Sequence, residues 1–372
     1  MSNKSSSKPL IILTAGGTGG HVFPAESLAE ELSARGYELA LVTDSRGKDN
    51  YHGKLGEITN YSVLAGAMVG KSKWFKIKSL FKTGLGVLQA AKILLKRKPV
   101  CVVGFGGYAS FPCSMAAILL GIDLVIHEQN SVMSRTNRFL SKYASFIAQS
   151  FKNVKFTPSR TPKILTGMPI RQNIASLKDR QYIQKNKNNK FQLLIIGGSQ
   201  GAKIFGEVIP EAIKQLPAEL QQQLQIYHQC RKDDIEDVKK GYEGCQAELT
   251  ISHFFENMSE LYAQTGLIIS RAGASSIAEI TAAKLPSIII PLPTAADDHQ
   301  TTNAEAISKT QAGHVFNQKD FTSENLKNIL VELLNSPDKL SVMSDRAEKL
   351  SIIDASQRLA NAIEKEIIAG GR

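Results

Sequence analysis

Short apolar runs alternate with longer amphipathic stretches along this chain, and most runs end in glycine or small polar residues. Leu10 to Leu13 reads as a buried strand, and Phe23 to Arg35, with apolar Leu28 and Leu32 against acidic Glu26, Glu30 and Glu31, reads as a helix. The pattern continues with strand Glu38 to Val42, a strand near Tyr61 to Leu64, a basic helix and strand Val100 to Val103. Helix Pro112 to Leu120, strand Leu124 to Ile126, helix Val132 to Tyr143 and a short strand near Phe146 follow. Such alternation predicts an α/β fold with a doubly wound parallel sheet. Breakers at Thr157-Pro158-Ser159, Pro162 and Gly167-Met168-Pro169 suit an interdomain connection, and Lys185 to Lys190 reads as a loop.

Beyond that loop the pattern restarts. Strand Phe191 to Ile196, helix Lys203 to Leu216, and strands Leu224 to His228, Ala247 to Ser252 and Leu267 to Ser270 come first. Helix Ser276 to Ala283, strand Ser287 to Pro291 and helix Thr301 to Thr310 complete a second unit of the same kind, without a sequence repeat. At 372 residues the chain can bury two cores. Ligands of such sheets bind beyond the carboxyl ends of the strands, so the cleft between two of them is the expected active site.

The strand-to-helix junctions hold the chemistry. Gly16-Gly17-Thr18-Gly19-Gly20 precedes His21 directly, placing bare backbone N–H groups and an imidazole at a helix start, where an anion or polar oxygen is favoured. The helix dipole keeps such a ring neutral, as a general base requires. A tight turn with a surface histidine is the plain alternative. The segment lacks the last glycine of a dinucleotide fingerprint, although Asp44 could mimic its ribose carboxylate, and no glycine loop continues into Gly-Lys-Ser/Thr.

Gly104 to Pro112 offers a second set of backbone donors, or simply sharp packing. Gly197-Gly198-Ser199-Gln200-Gly201-Ala202 could hold a diphosphate, with Ser199 as a hydroxyl donor. Ser270 to Ser276 could do the same, and Glu279 one turn further could accept both hydroxyls of a ribose, although helix capping alone also explains it. His127-Glu128-Gln129-Asn130 is too polar for packing alone. Asp297-Asp298-His299-Gln300 looks metal-like, but adjacent carboxylates diverge at a helix start and commonly cap it. The chain has no Asp-x-Asp, so metal-dependent sugar transfer is disfavoured, and leaving-group charge falls to helix ends and cations such as Arg171.

Composition narrows the setting. Cys101, Cys113, Cys230 and Cys245 form no CxxC pair, which fits a reducing cytoplasm. The apolar run after the polar N-terminus is too short for a signal peptide, and Val100 to Ile126 is too broken for a membrane span. Net charge is +11, with no Asp or Glu between Glu57 and Asp123. In that window Lys71, Lys73, Lys76, Lys78 and Lys82 interleave with Trp74, Phe75, Ile77, Leu80, Phe81 and Leu85, the make-up of a segment lying on anionic lipid. A basic face over a core helix is the alternative, and no nucleic-acid motif accompanies the patch.

Taken in order, Thr14 to Ala25, the Gly104 loop, His127 to Asn130, Gly167 to Arg171, Gly197 to Ala202, Arg271 to Glu279 and Asp297 to Gln300 closely resemble the MurG family of N-acetylglucosaminyltransferases across nearly the whole chain. The resemblance implies a GT-B fold of two Rossmann-like domains: an acceptor and membrane-associating domain over 1–165, and a domain binding UDP-GlcNAc over 166–350. A helix over 351–372 would pack back on the first domain. It implies inverting transfer of GlcNAc to the C4 hydroxyl of lipid I, giving lipid II in peptidoglycan synthesis, with no cofactor or metal. The enzyme would be peripheral on the cytoplasmic face of the bacterial inner membrane, alongside other cell-wall synthesis proteins.

By the same resemblance His21 is the base. Ser199 and Ala274, Ser275 and Ser276 fall at the diphosphate, Glu279 at the ribose and the Phe255 main chain at uracil, with Ile277 and Ala278 also among the substrate-binding residues. Gln300, Asn130, Thr18, Gly19 and Gly20 fall near the GlcNAc, and Arg171 near the donor. Met168 and Gly206 stand where the family commonly has Asn, and Met133-Ser134 replaces a frequent Pro-Gly. Another lipid-acceptor glycosyltransferase of the same fold, or a non-catalytic UDP-sugar-binding scaffold, would carry the same loops.

Overall fold

The computed structural model describes residues 8–16, 19–44, 51, 53–66, 73–185, 188–198 and 201–370. Thr18, Ser199 and the side chains of Lys71, Lys73, Trp74, Phe75 and Lys76 lie outside the described residues. The chain divides into two compact units, one running to Arg171 and resuming at Asp354, the other spanning Gln172–Ile353.

The first unit is built on β1 (Lys8–Thr14), β2 (Tyr37–Thr43), β3 (Thr59–Ser62), β4 (Cys101–Gly104), β5 (Asp123–Glu128), β6 (Phe146–Gln149) and β7 (Lys163–Leu165), in the order β3-β2-β1-β4-β5-β6-β7. Every neighbouring pair is parallel. The run Leu10-Ile11-Ile12-Leu13 is buried on both faces. Ile11 and Leu13 pack with Leu28 and Leu32, while Leu10 and Ile12 pack with Ala90, Leu94, Cys113 and Ala117. That is why the strand reads as a continuous apolar run rather than an alternation.

The second unit repeats the plan with β8 (Phe191–Ile196), β9 (Leu224–Gln229), β10 (Glu248–Ser252), β11 (Leu267–Ser270), β12 (Ser287–Ile289) and β13 (Gly313–Val315), ordered β10-β9-β8-β11-β12-β13 and again parallel. In each sheet the winding reverses between the first and fourth strands, β1 and β4 here, β8 and β11 there. The loops leaving those strands open the crevice where ligands of this architecture bind.

Several element boundaries differ from the sequence reading. The helix expected from Phe23 begins at Gly19, and the one expected from Pro112 begins at Gly107. Pro24 and Pro112 lie in the sixth position of their helices, where each removes one backbone bond without ending the helix. The breaker-rich stretch before Gly167 contains β7, whose three residues pair with β6. Short helices Ile235–Gly241 and Met258–Gln264, and longer ones Ser323–Leu334 and Pro337–Leu350, went unread in the sequence.

The helix Ala355–Ile363 packs on Gly19–Ala34. Arg35 donates to Asn361 at 2.7 Å and to Glu364 at 2.6 Å, and the Tyr37 hydroxyl donates to Glu364 at 2.9 Å. Leu359, Ala360, Ala362, Ile363 and Ile367 share one core with Ile11, Leu13 and Leu28.

Each unit also walls in a histidine. Burial pushes His127 down to about 4; the Gly167 carbonyl pulls it back and the neighbouring His21 pushes the same way as burial. Burial pushes His228 down to about 3. Between the ordinary imidazole value and these, the unfolded chain binds protons that the folded chain refuses, so these groups make stability fall as the pH is lowered through that window. The carboxyls of Glu26, Glu30 and Glu128, each raised by desolvation, act in the opposite sense. A variant therefore isolates the imidazole. On going from about pH 7 to about pH 4.5, the wild type is expected to lose more urea stability than His228→Gln does. Equal pH dependence of the two unfolding midpoints would contradict this.

Candidate active site

In the first unit, the loop after β1 passes so close to the helix Gly107–Leu119 that a Cβ on Gly16 would lie 2.4 Å from the Ala109 Cβ. Only glycine fits there. His21 is the third residue of its helix, among backbone N–H groups that have no partner within the helix. Its ring lies against Gly107, where an added Cβ would sit 3.4 Å from Cδ2 and 3.6 Å from Nε2, and its Nδ1 is buried. Gly106 and Gly107 take φ of +80° and +76°, a backbone that L side chains rarely adopt. Two glycine turns, one from each side of the winding reversal, thus meet around one imidazole.

The end of β5 forms the next wall. Glu128, fully buried, accepts from the Asn130 backbone N–H at 3.0 Å, the Ser134 N–H at 3.1 Å and the Asn137 side-chain amide at 2.7 Å. Burial raises its carboxyl and these donors hold it down. Gln129 donates to the Phe105 carbonyl at 2.6 Å, so the Asn130 loop is tied to the loop after β4. Arg171 places its guanidinium 4.8 Å over the Phe23 ring, an arrangement in which the cation meets the negative face of the aromatic.

The family departures are absorbed locally. Met168 is buried and receives the Ser150 hydroxyl at 3.5 Å. Ser134 caps the helix Arg135–Leu140 by accepting from the Asn137 N–H. A Cβ on Gly206 would meet Val238 at 2.6 Å, so the helices Lys203–Lys214 and Ile235–Gly241 pack closely there.

In the second unit, Gly198 and Gly201 take positive φ after β8, and the Gly201 N–H donates to the Gly198 carbonyl at 3.0 Å. After β11, Arg271 turns inward, donates to the carbonyls of Ile290 and Pro291 and lies 5.0 Å over Phe205; burial lowers its pKa. Asn303 donates to the Ala272 carbonyl at 3.1 Å. These contacts fix the loop that starts the helix Ala274–Ala282, which opens two residues earlier than the sequence reading had it. Ala274, Ser275, Ser276 and Ile277 form its first turn, with Ala278 following. The Ser275 hydroxyl is buried without a hydrogen-bond partner among the described residues. Glu279 is buried and accepts from the Tyr262 hydroxyl at 3.2 Å.

Phe255 stacks edge-on against Tyr227, 5.9 Å between centroids, at a cavity of about 430 Å3 also lined by Gln225, Glu260 and Gln264. Gln300 accepts from the Leu292 N–H at 3.0 Å, leaving its amide N–H groups to donate. Asp297 and Asp298 both adopt left-handed backbone; Asp298 takes the Thr301 hydroxyl at 2.6 Å and caps no backbone N–H. Among the described residues no group of His, Cys, Asp and Glu is arranged to hold a metal ion.

Thus His21, Gly19, Gly20, Asn130 and Arg171 belong to the first unit, and Phe255, Ala274 to Glu279 and Gln300 to the second. Sequence reading missed Asn137, Asn303 and Tyr262, each of which acts through a residue far along the chain and leaves no local pattern.

Comparison with known proteins bears on this arrangement. The glycosyltransferase family 28 N-terminal domain matches residues 11–149, and the C-terminal domain of that family matches 192–359. A UDP-N-acetylglucosamine--N-acetylmuramyl-(pentapeptide) pyrophosphoryl-undecaprenol N-acetylglucosamine transferase of Paramagnetospirillum magneticum is 43% identical, covering 96% of this chain and 97% of its own. The enzyme of the same name from Rhodospirillum centenum is 40% identical over 95% and 93%. The crystal structure of Acinetobacter baumannii MurG superposes with a TM-score of 0.76 at 31% identity, over 96% of this chain and 99% of that one. With its two parallel sheets wound alike and its glycine loops at both reversals, this chain has the GT-B fold and belongs to the MurG family of family 28 glycosyltransferases.

Proposed function

We propose that this chain transfers GlcNAc from UDP-GlcNAc to the C4 hydroxyl of undecaprenyl-diphosphate-linked N-acetylmuramyl pentapeptide, converting lipid I to lipid II. Full-length membership of the family carries the reading, and the packing of His21 against Gly107 supports a mechanism for it. The second unit takes the donor: the first turn of the helix Ala274–Ala282 and Ser199 receive the diphosphate, Glu279 the ribose, the Phe255 main chain the uracil, and Gln300 the sugar. Asn130, Arg171, Thr18, Gly19 and Gly20 act at the GlcNAc and the leaving group.

The acceptor oxygen attacks C1 of GlcNAc from the face opposite the diphosphate, inverting the centre. Its proton passes to the neutral imidazole of His21, and the C1–O bond breaks with its electron pair leaving on UDP. Backbone N–H groups at the helix start meet that charge as it develops. His21→Ala is expected to lower kcat by about a hundredfold to ten-thousandfold, the usual worth of a general base, with UDP affinity unchanged by titration calorimetry. Undiminished turnover would remove His21 from the reaction. Purified protein given labelled UDP-GlcNAc and a short-chain lipid I analogue tests the whole reading. Transfer only to a different lipid acceptor, or donor binding without product, would favour another glycosyltransferase or a scaffold.

The helix Lys73–Arg97 is proposed to rest on an anionic membrane surface at the cytoplasmic face. Ile77, Leu80, Phe81 and Leu88 are each at least 60% exposed, and Lys78, Lys82, Lys92 and Lys96 lie on the same helix. No helix among the described residues is long and apolar enough to cross a membrane. Phe81→Glu with Leu80→Glu is expected to release the protein from phosphatidylglycerol vesicles in a flotation assay, because it removes apolar insertion and adds repulsion. Wild-type protein that stays in solution with those vesicles at low salt would contradict the proposal.

A further inference from the structure

Glu279 is the sixth residue of its helix and 7% exposed, and Tyr262, 2% exposed, reaches it from the helix Met258–Gln264. The phenol hydroxyl donates to Glu279 Oε2 at 3.2 Å. The far ends of the two helices are tied to one side chain. Arg180 donates to the carbonyls of Ala263 and Thr265, which end the Tyr262 helix, and to Ala283, which ends the Glu279 helix. Gln192 of β8 adds bonds to the Leu261 carbonyl at 2.9 Å and the Thr265 hydroxyl at 3.0 Å. Burial lowers the Arg180 guanidinium to about 10, and the carbonyls around it are satisfied by its fork of donors.

We infer that Tyr262 is a positioning residue that sets the plane of the Glu279 carboxylate for the ribose diol of the nucleotide, and with it the preference for ribose over 2′-deoxyribose. The inference rests on Glu279 being the ribose acceptor in the function proposed above. A terminal carboxylate torsion is broad and soft, so an exposed glutamate would sample many planes. One donor on Oε2 narrows that range while leaving lone pairs on both oxygens, enough to accept one hydroxyl each. Tyr262 thus spends no contact on the ligand and lowers the cost of ordering the group that makes one. Nothing local in the sequence signals this, because the two residues sit on different helices with β11 between them.

UDP and 2′-deoxy-UDP, titrated calorimetrically into the full chain, test it. Tyr262→Phe keeps the ring in its packing and removes only the hydroxyl. It is expected to weaken UDP by about 3- to 10-fold, within the net worth of one ordinary intramolecular hydrogen bond, and 2′-deoxy-UDP by no more than about twofold. With UDP-GlcNAc as substrate, KM should rise while kcat at saturating donor stays within about twofold. The ratio of the two affinities is internal to each preparation, so partial unfolding does not imitate the result. Equal weakening of both nucleotides, or an unchanged UDP affinity, would overturn the role of Tyr262. Glu279→Gln separates the two levels: if it also leaves the ribose preference intact, the ribose assignment of Glu279 fails, whereas loss of preference there with retention in Tyr262→Phe defeats only the positioning role.

Discussion

The distance between the loop after β1 and the helix after β4 governs the first unit. With 2.4 Å between an imagined Gly16 Cβ and the Ala109 methyl, the backbone itself forms the surface, and His21 and Gly107 lie against each other as a result. Parallel strands make this possible, since their carboxyl ends all open on one edge, and the reversal between β1 and β4 leaves two adjacent loops running to opposite faces. The same reversal between β8 and β11 brings the Gly197 loop and the start of the helix Ala274–Ala282 to neighbouring strands.

Bare backbone is a surface that needs bracing, and buried polar side chains supply it. Glu128 gathers the Asn130 loop, Arg271 and Asn303 hold the loop after β11, and Arg180 ties two helix ends. Each places a charge or an amide out of water, which costs stability unless its donors and acceptors are met. Nearly all of these partners are main-chain groups. The bracing therefore acts on chain path, and the side chains that face a ligand inherit their directions from it.

The strands and the glycine junctions were legible because both leave local signatures: an apolar run such as Leu10 to Leu13, then residues without a Cβ. The starts expected at Phe23 and Pro112 fall inside the helices, because Pro24 and Pro112 are tolerated at the sixth position and do not mark the first turn. β7 leaves no such signature, because its three residues are too few for Ile164 and Leu165 to show a period. The helix Ile235–Gly241 is short and mostly exposed, so its single buried Val238 gives no period to read. Within the site, motif residues could be named from sequence, while Asn137, Asn303 and Tyr262 could not. Their partners lie nine, thirty-one and seventeen residues away, distances that only the fold converts into contacts.

The helix Ala355–Ile363 completes a core whose other members lie near the start of the chain. That core, which also holds Leu28 and Leu32, is complete only after the whole of Gln172–Ile353 has been synthesised. On the ribosome the order of completion is consequently inverted: the later unit is contiguous and can close first, while the earlier one waits with an apolar strip open. A chain stalled or cleaved before Asp354 would hold one finished half and one adhesive half, a substrate for chaperones and proteases rather than a partly working enzyme.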